Sequence, residues 1–285
     1  MATPVFLSTV PPAVPDRAGR ALRRTALATF VLGLIVWSWV GTEMNLLHLV
    51  DSGPRIADFL DRMLPPDLTW QTTEPDGTGV RRPFPPPLRI AAAVVGVTLQ
   101  IALLGTALGT LAALGLGLLG AENLTPHWVH HPVKIAMALL RSIPVILLAL
   151  LFVAALGLGP LPGVLAIAIH SIGMLGKLFA EECETADAGV WEAMDSAGSN
   201  WFQKVRYAVW PQVAPQIFSL TLFRLDMNLR ESAVLGLVGV AGLGLAIENY
   251  RAVFDYPSVA TLVIITMLVV LVVDQISVHI RRLLK

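Results

Sequence analysis

The chain has 285 residues, of which 55% are hydrophobic and only 14% charged, whereas soluble domains carry about 25% charged residues. Its formal net charge of zero gives no general attraction to nucleic acid. Its single cysteine, Cys183, excludes an intrachain disulfide framework and a cysteine-based metal site. Because several apolar runs also approach the length of a membrane span, the composition predicts an all-α integral membrane protein.

Six apolar segments are predicted to cross the membrane as a polytopic helical bundle. They cover residues 25–41, 90–120, 135–158, 164–180, 212–239 and 258–280. Pro144 is expected to kink the third segment. Four arginines precede the first segment, and Arg281, Arg282 and Lys285 follow the last. Since basic residues favour the cytoplasmic side, we expect a multi-pass protein of the inner or plasma membrane with both termini in the cytoplasm.

The chain is predicted to divide into an N-terminal part, 1–89, and a membrane core, 90–285. The N-terminal part combines a cytoplasmic tail, the first transmembrane helix and a polar outer segment rich in proline and acidic residues. Within that outer segment, residues 56–64 have the pattern of a short amphipathic helix lying on the membrane surface.

Three sequence patterns that suggest a ligand are incomplete. His127, His130 and His131 have no carboxylate or cysteine at a known metal-ligand spacing, which favours a polar interfacial loop over a metal site. Residues 173–178, GMLGKL, superficially resemble a phosphate-binding loop but lack the required Ser or Thr, so no ATP site or other cofactor site is predicted in this chain. Glycines between 236 and 244 predict a helix break where the chain turns.

A polar island at residues 185–211 separates two apolar segments and must lie in water. Residues 188–197 are predicted to form a short helix, with Gly198 supplying the turn that follows. From Glu192 the order is Glu-Ala-Met, three residues, Gly198, twelve residues and Pro211. The alternative interpretation is an ordinary solvated loop between two helices.

This spacing resembles the cytoplasmic EAA loop of ABC importer permeases. In that pattern Glu-Ala-Ala is followed by three residues and a glycine, with a proline thirteen positions after the glycine. Glu192, Ala193, Gly198 and Pro211 match, and Met194 replaces the second alanine. The resemblance implies that these five residues couple the chain to a cytoplasmic ATPase.

The likeness extends over roughly residues 90–285 and is most specific from 157 to 244, where the chain resembles the permease subunit of phosphonate ABC importers. It implies a type I ABC importer permease fold. It also implies three kinds of partner, namely a cytoplasmic ATPase dimer that binds ATP and magnesium, an external substrate-binding protein, and a second permease copy forming a homodimer. Glu231 departs from the resemblance, since a small residue is expected at that position.

The fifth segment carries charges, which are expensive inside a bilayer and tend to face a bundle interior or a water-filled path. Asp226 and Arg230 are four residues apart and are expected to pair on one helix face. Arg230 lies near mid-bilayer, where its guanidinium suits recognition of a phosphorus oxyanion. The alternative is a structural charge network that neutralises itself and contains Arg224, Asp226, Arg230 and Glu231. This structural role is the favoured one for Arg224 and Asp226.

His170 and Ser171 lie near the middle of the fourth segment. Either side chain is able to donate to an oxyanion, but a hydrogen bond to a neighbouring helix is the favoured role, because polar side chains hold helices together in lipid. Together with Arg224, Asp226 and Arg230 they form the predicted substrate pathway.

The predicted function is that of a permease subunit, not an enzyme, in an ATP-driven importer for phosphonate, phosphite or phosphate. The substrate would pass from the external binding protein to the cytoplasm by alternating access. The alternatives are a permease for another small solute such as methionine, an ATPase-independent secondary transporter, and a membrane-embedded enzyme.

Overall fold

The structure is a computed structural model that describes residues 17–42, 51–70 and 84–283. The chain divides into two compact units, Met1–Phe59 and Leu60–Lys285. In the first unit, α1 spans Arg17–Gly41. Helix α2, Gly53–Met63, confirms the helix predicted at 56–64 and begins three residues earlier. The rest of the predicted tail and outer segment, residues 1–16, 43–50 and 71–83, lies outside the described residues.

The described part of the second unit is helical and contains no β-strand. Its helices are α3 Pro87–Gly120, α4 His127–Ser142, α5 Val145–Leu156, α6 Pro160–Glu184, α7 Ala188–Ser196, α8 Trp201–Lys204, α9 Trp210–Leu235, α10 Leu243–Ala252 and α11 Tyr256–Leu283. A π-helical turn, Val205–Val209, joins α8 to α9. Proline occupies the first turn of α3, α6 and α9, where its missing N–H costs no helical hydrogen bond.

Among the described residues, four helices are long and apolar enough to cross a membrane: α1, α3, α6 and α11. Helices α4 and α5 make a fifth crossing if they are counted as one broken span. Helix α9 has 26 residues and is about 39 Å long at 1.5 Å per residue, but its charged residues lower its apolar character. The total of six spans therefore stays a prediction.

The third predicted segment, 135–158, is not one continuous helix. Helices α4 and α5 meet at an angle of 80°, which is much sharper than the predicted kink. Pro144, the N-cap residue of α5, has an extended backbone with φ −56° and ψ 136°, and α4 already ends at Ser142. Because proline disfavours a helical conformation in the residue before it, Ile143 is also extended and the helix stops instead of bending.

Helices α3 and α6 form the tightest helix pair of the core because small residues line their contact. A Cβ atom added to any of three α3 glycines would lie 2.6 to 2.7 Å from a side chain of α6. Such close approach is typical of helices that pack in lipid. The pairs are Gly105 with Ile167, Gly109 with Ser171, and Gly117 with Phe179.

The predicted glycine break after the fifth segment is confirmed. Helix α9 ends at Leu235 and a short 3-10 turn, Gly236–Val238, follows. Gly239 and Gly242 have φ of 92° and 129°, values that side chains with a Cβ rarely adopt. The turn returns the chain to α3, where the backbone N–H of Leu243 donates to Thr98 Oγ1 at 2.9 Å.

We predict that Gly109→Ala destabilises the folded permease by about 1–3 kcal/mol, the usual cost of overpacking a core. The new methyl group would lie 2.7 Å from Ser171 Cβ and 2.9 Å from the Ala168 carbonyl oxygen. Gly115→Ala is the matched control, because the same atom at that position of α3 has nothing within 4 Å. Thermal unfolding of the purified proteins in one detergent compares the two, and equal midpoints would contradict the prediction.

Candidate functional site

Arg224 of α9 is buried in the middle of the helical core. Its guanidinium is 1% exposed, and its Nε donates to Ser171 Oγ of α6 at 3.1 Å. Its two terminal nitrogens donate to the Glu231 carboxylate at 3.4 and 3.1 Å. One of them also lies 3.2 Å from the Met174 sulfur. The positive charge is thus neutralised on its own helix and anchored to α6.

Asn228 extends this contact to a third helix. Its Nδ2 donates to Thr106 Oγ1 of α3 at 2.8 Å and to Ser171 Oγ at 3.0 Å. Arg224, Asn228 and Glu231 follow the spacing i, i+4 and i+7, which places them on one face of α9. We call the five side chains that join α3, α6 and α9 the inner polar network: Thr106, Ser171, Arg224, Asn228 and Glu231.

Asp226 and Arg230 form a separate ion pair on another face of α9, since positions two residues apart on a helix lie about 200° apart. Arg230 donates to Asp226 Oδ2 at 2.6 Å, which confirms the predicted pair. The Asp226 side chain is 6% exposed, whereas that of Arg230 is 57% exposed. Arg230 is therefore the accessible cation of α9, and Arg224 is the buried one.

His170 and Ser171 both contact a neighbouring element, as the favoured interpretation expects. Ser171 Oγ accepts from Arg224 and from Asn228. The His170 ring Nδ1 lies 3.1 Å from the carbonyl oxygen of Ile143, in the break between α4 and α5. A role for either side chain toward a substrate stays a prediction.

The polar island forms a helix at its predicted place. Asp187 caps α7 by accepting from the Gly189 N–H at 2.8 Å, and the helix ends one residue before the predicted end. Glu192 and Ala193 are exposed, and Met194 is partly exposed. Gly198 turns the chain with φ of 72°, and Pro211 lies in the first turn of α9.

Several contacts hold the island against the helices that flank it. The Trp201 indole N–H donates to the Leu124 carbonyl oxygen at 2.9 Å. The Asp187 N–H donates to Gln212 Oε1 of α9 at 3.0 Å. Lys204 pairs with Asp195 and lies over the Trp191 ring, 4.9 Å from its centroid. The island is thus fixed to α9 and to the α3–α4 loop.

The α3–α4 loop is itself attached to the end of α6. Lys134 donates to Glu122 at 2.8 Å and to Glu184 at 2.9 Å. The hydrogen bond from Lys134, together with its positive charge, lowers the pKa of Glu122. Asn123 Nδ2 also donates to the Cys183 carbonyl oxygen at 2.9 Å. These contacts connect α3, α4 and α6 at the side of the bundle where the island lies.

His127, His130 and His131 lie in the first two turns of α4 and not in the predicted loop, and they pack on one another. The rings of His127 and His131 are stacked with centroids 5.1 Å apart, and His130 Nδ1 lies 3.1 Å from the Thr125 carbonyl oxygen. Within residues 17–42, 51–70 and 84–283, no group of three His, Cys, Asp or Glu side chains is arranged to hold a metal ion.

Sequence reasoning missed two members of the inner polar network, Thr106 and Asn228. It expected Glu231 in a charge network but did not identify Arg224 as its partner. The i, i+4, i+7 spacing of the α9 residues was visible and would have indicated one polar face. Thr106 carried no such signal, because its partner Asn228 lies 122 positions away in the sequence.

This chain matches one family model and is similar to permease proteins of known transport systems. Residues 88–285 match the family model described as binding-protein-dependent transport system inner membrane component. The chain is 39% identical over 237 residues to the phosphate-import permease protein PhnE of Mycolicibacterium smegmatis, covering 83% of this chain but 41% of that relative. It is 33% identical over 264 residues to the phosphite transport system permease protein PtxC of Stutzerimonas stutzeri, covering 92% and 89%.

Solved structures share the fold. The permease of a methionine ABC transporter in an inward-facing conformation aligns with a TM-score of 0.63 and 18% identity, covering 70% of this chain and 98% of its own. In this family ATP is hydrolysed by a separate ATPase subunit, so the permease is not an enzyme. The chain belongs to the binding-protein-dependent transport system inner membrane components, the permease family of ABC importers.

Proposed function

We propose that this chain is the transmembrane permease of an ATP-driven importer for a phosphorus oxyanion: phosphonate, phosphite or phosphate. The observation that carries the proposal is Arg230, an accessible guanidinium on α9, a helix predicted to cross the membrane. Relatives named for phosphate and phosphite transport support the same substrate class. The chain spans only 41% of the length of the first of these relatives. The proposal for the substrate therefore rests on Arg230 as well as on what these relatives transport.

An exposed arginine on a membrane helix needs water, a partner chain or a ligand, because lipid cannot solvate it. Arg230 keeps donors free after pairing with Asp226 through one terminal nitrogen. A guanidinium binds phosphorus oxyanions in a planar, bidentate way. Arg230 therefore lines a water-filled path, which a second permease copy would close in a homodimer.

The island supplies the connection to the ATPase dimer. Glu192 and Ala193 are exposed on α7. This helix follows α6 and precedes α9, so movement of α7 acts on two of the three helices of the inner polar network. ATP-driven closure of the ATPases would push on residues 188–198, and the path would open outward to receive substrate from the external binding protein. Both termini lie on the cytoplasmic side in this arrangement.

Neutralising the Arg230 pair tests the substrate assignment. We expect Asp226→Asn/Arg230→Gln to lower ATP-dependent phosphite uptake by about tenfold or more, since a hydrogen bond to a charged group contributes about 1.5–3 kcal/mol. The double variant removes both charges and leaves no buried carboxylate unpaired. Uptake is measured in proteoliposomes that contain permease, ATPase and binding protein.

Arg251→Gln is the matched control, because Arg251 is 59% exposed and pairs with Glu248 on its own helix, α10. It should retain phosphite uptake. Full phosphite uptake by the double variant would contradict a role for Arg230. Transport of methionine with no transport of any phosphorus oxyanion by the unmodified importer would contradict the proposed substrate class.

Replacing Trp201 tests the coupling route. Trp201→Phe keeps an aromatic ring but removes the hydrogen bond to Leu124, which is worth about 1 kcal/mol, or about a fivefold change in an equilibrium. We expect phosphite uptake per ATP hydrolysed to fall about fivefold while the ATPase remains bound. Trp128→Phe makes the same change at an exposed side chain of α4. Equal loss in both variants would argue against the Trp201 contact as part of the route.

A further inference from the structure

The two ion pairs of α9 are built in opposite ways. In the Asp226–Arg230 pair the anion is buried and the cation exposed, and the contact is 2.6 Å. In the Arg224–Glu231 pair the cation is buried, the Glu231 side chain is 24% exposed, and the contacts are 3.1 and 3.4 Å. Hydrogen bonds between a charged nitrogen and a carboxylate are typically about 2.7–2.9 Å long. The second pair is thus the looser one, and its accessible member is the anion.

Arg224 is held in place without Glu231. Its Nε bonds to Ser171 on α6, and Ser171 is bonded in turn to Asn228. Both hydrogen bonds described for the Glu231 carboxylate go to Arg224 alone. Glu231 is therefore able to leave while the guanidinium stays in position with two terminal nitrogens ready to bind another anion.

Asn228 gives a second, independent indication of a ligand. Its side chain is fully buried, yet its Oδ1 has no hydrogen-bond partner within the described part of the chain. A buried acceptor without a donor is costly, because it has lost its hydrogen bonds to water. An ionised carboxylate such as Glu231 cannot supply that donor, whereas a phosphorus oxyanion with a P–OH group supplies both acceptor oxygens and a donor.

We propose that Arg224 is a second anion-binding point, occupied at rest by the Glu231 carboxylate and taken over by a phosphorus oxyanion that keeps a P–OH group. With Glu231 in place, the charges of Arg224, Asp226, Arg230 and Glu231 cancel, so displacing Glu231 provides the positive charge that an anion needs. The inference rests on the proposed function and adds Glu231 as the group with which substrate competes.

Binding of radiolabelled phosphite to the permease–ATPase complex tests this exchange. The complex is placed in phosphatidylcholine nanodiscs without binding protein. We expect Glu231→Gln to bind phosphite at least about tenfold more tightly than the unmodified complex, because the competing carboxylate is gone. Adding Arg224→Gln to that variant should remove the gain. Glu181→Gln is the matched control, since it removes a carboxylate from a 3.2 Å pair with Lys177 at the surface, and it should not change phosphite affinity.

Equal phosphite affinity with and without Glu231→Gln would overturn the inference, as would a gain that survives Arg224→Gln. If Glu231→Gln does not assemble, Glu231→Asp provides the test, because its shorter side chain weakens the contact while keeping the charge, and it should raise phosphite affinity by a smaller factor. An unchanged affinity in that variant would also overturn the inference. If the unmodified importer still takes up phosphite, the proposed function stands and only this inference fails. If it takes up no phosphorus oxyanion, the proposed function fails as well.

The P–OH group is tested with dimethyl phosphate, a singly charged anion that lacks it. The Glu231→Gln complex should prefer phosphite over dimethyl phosphate, and Asn228→Ala should reduce that preference about fivefold or more. A phosphatidic acid headgroup carries the same chemistry, so nanodiscs containing this lipid form a separate arm. Displacement of bound phosphite by phosphatidic acid at equal concentration would assign the site to lipid and overturn a soluble ligand.

Discussion

A buried guanidinium is the constraint on which the arrangement of this bundle depends. A charge taken out of water is costly unless it is paired and hydrogen-bonded. Arg224 meets this cost with Glu231 on its own helix and Ser171 on α6. Asn228 then brings in Thr106 of α3. One buried charge thus determines which faces of three helices meet.

The close α3–α6 contact makes the network geometrically feasible. Gly109 lets α3 approach Ser171, the residue that accepts from both Arg224 and Asn228. A larger residue would push α3 away from the side chain on which the network converges. Small residues therefore set the distance between the helices, and polar residues form hydrogen bonds across that distance.

The position of the polar island links this network to the surface on which we propose that the ATPase docks. Helix α6 runs from the network to Glu184, the island follows, and α9 runs from Trp210 back to the network. Phe179 of α6 and Val213 of α9 share one apolar cluster against which Trp191 of α7 packs. A displacement of α7 therefore reaches both helices through packed side chains instead of through a flexible loop.

Much of this arrangement could be predicted from residue types and spacing. The short helix before Gly198, the glycine break after α9 and the Asp226–Arg230 pair are local features, set within a few residues by capping, backbone freedom and helix periodicity. The 80° break at Pro144 was underestimated, because a proline kink and a helix end look alike in sequence. Thr106 and Asn228 were missed because their contact depends on which helices are neighbours, which one sequence does not state.

The central claim is that α9 presents Arg230 to a water-filled path, and thiol accessibility tests it most directly. Cys183 is the only cysteine of the chain and is buried, so Cys183→Ser gives a background in which Arg230→Cys is the single thiol. Leu268→Cys, at an exposed position within α11, is the comparison. The account predicts that a charged, membrane-impermeant thiol reagent modifies the cysteine at 230 much faster, and at a rate that changes when ATP binds. Equal, slow modification at 230 and 268 in every nucleotide state would contradict it.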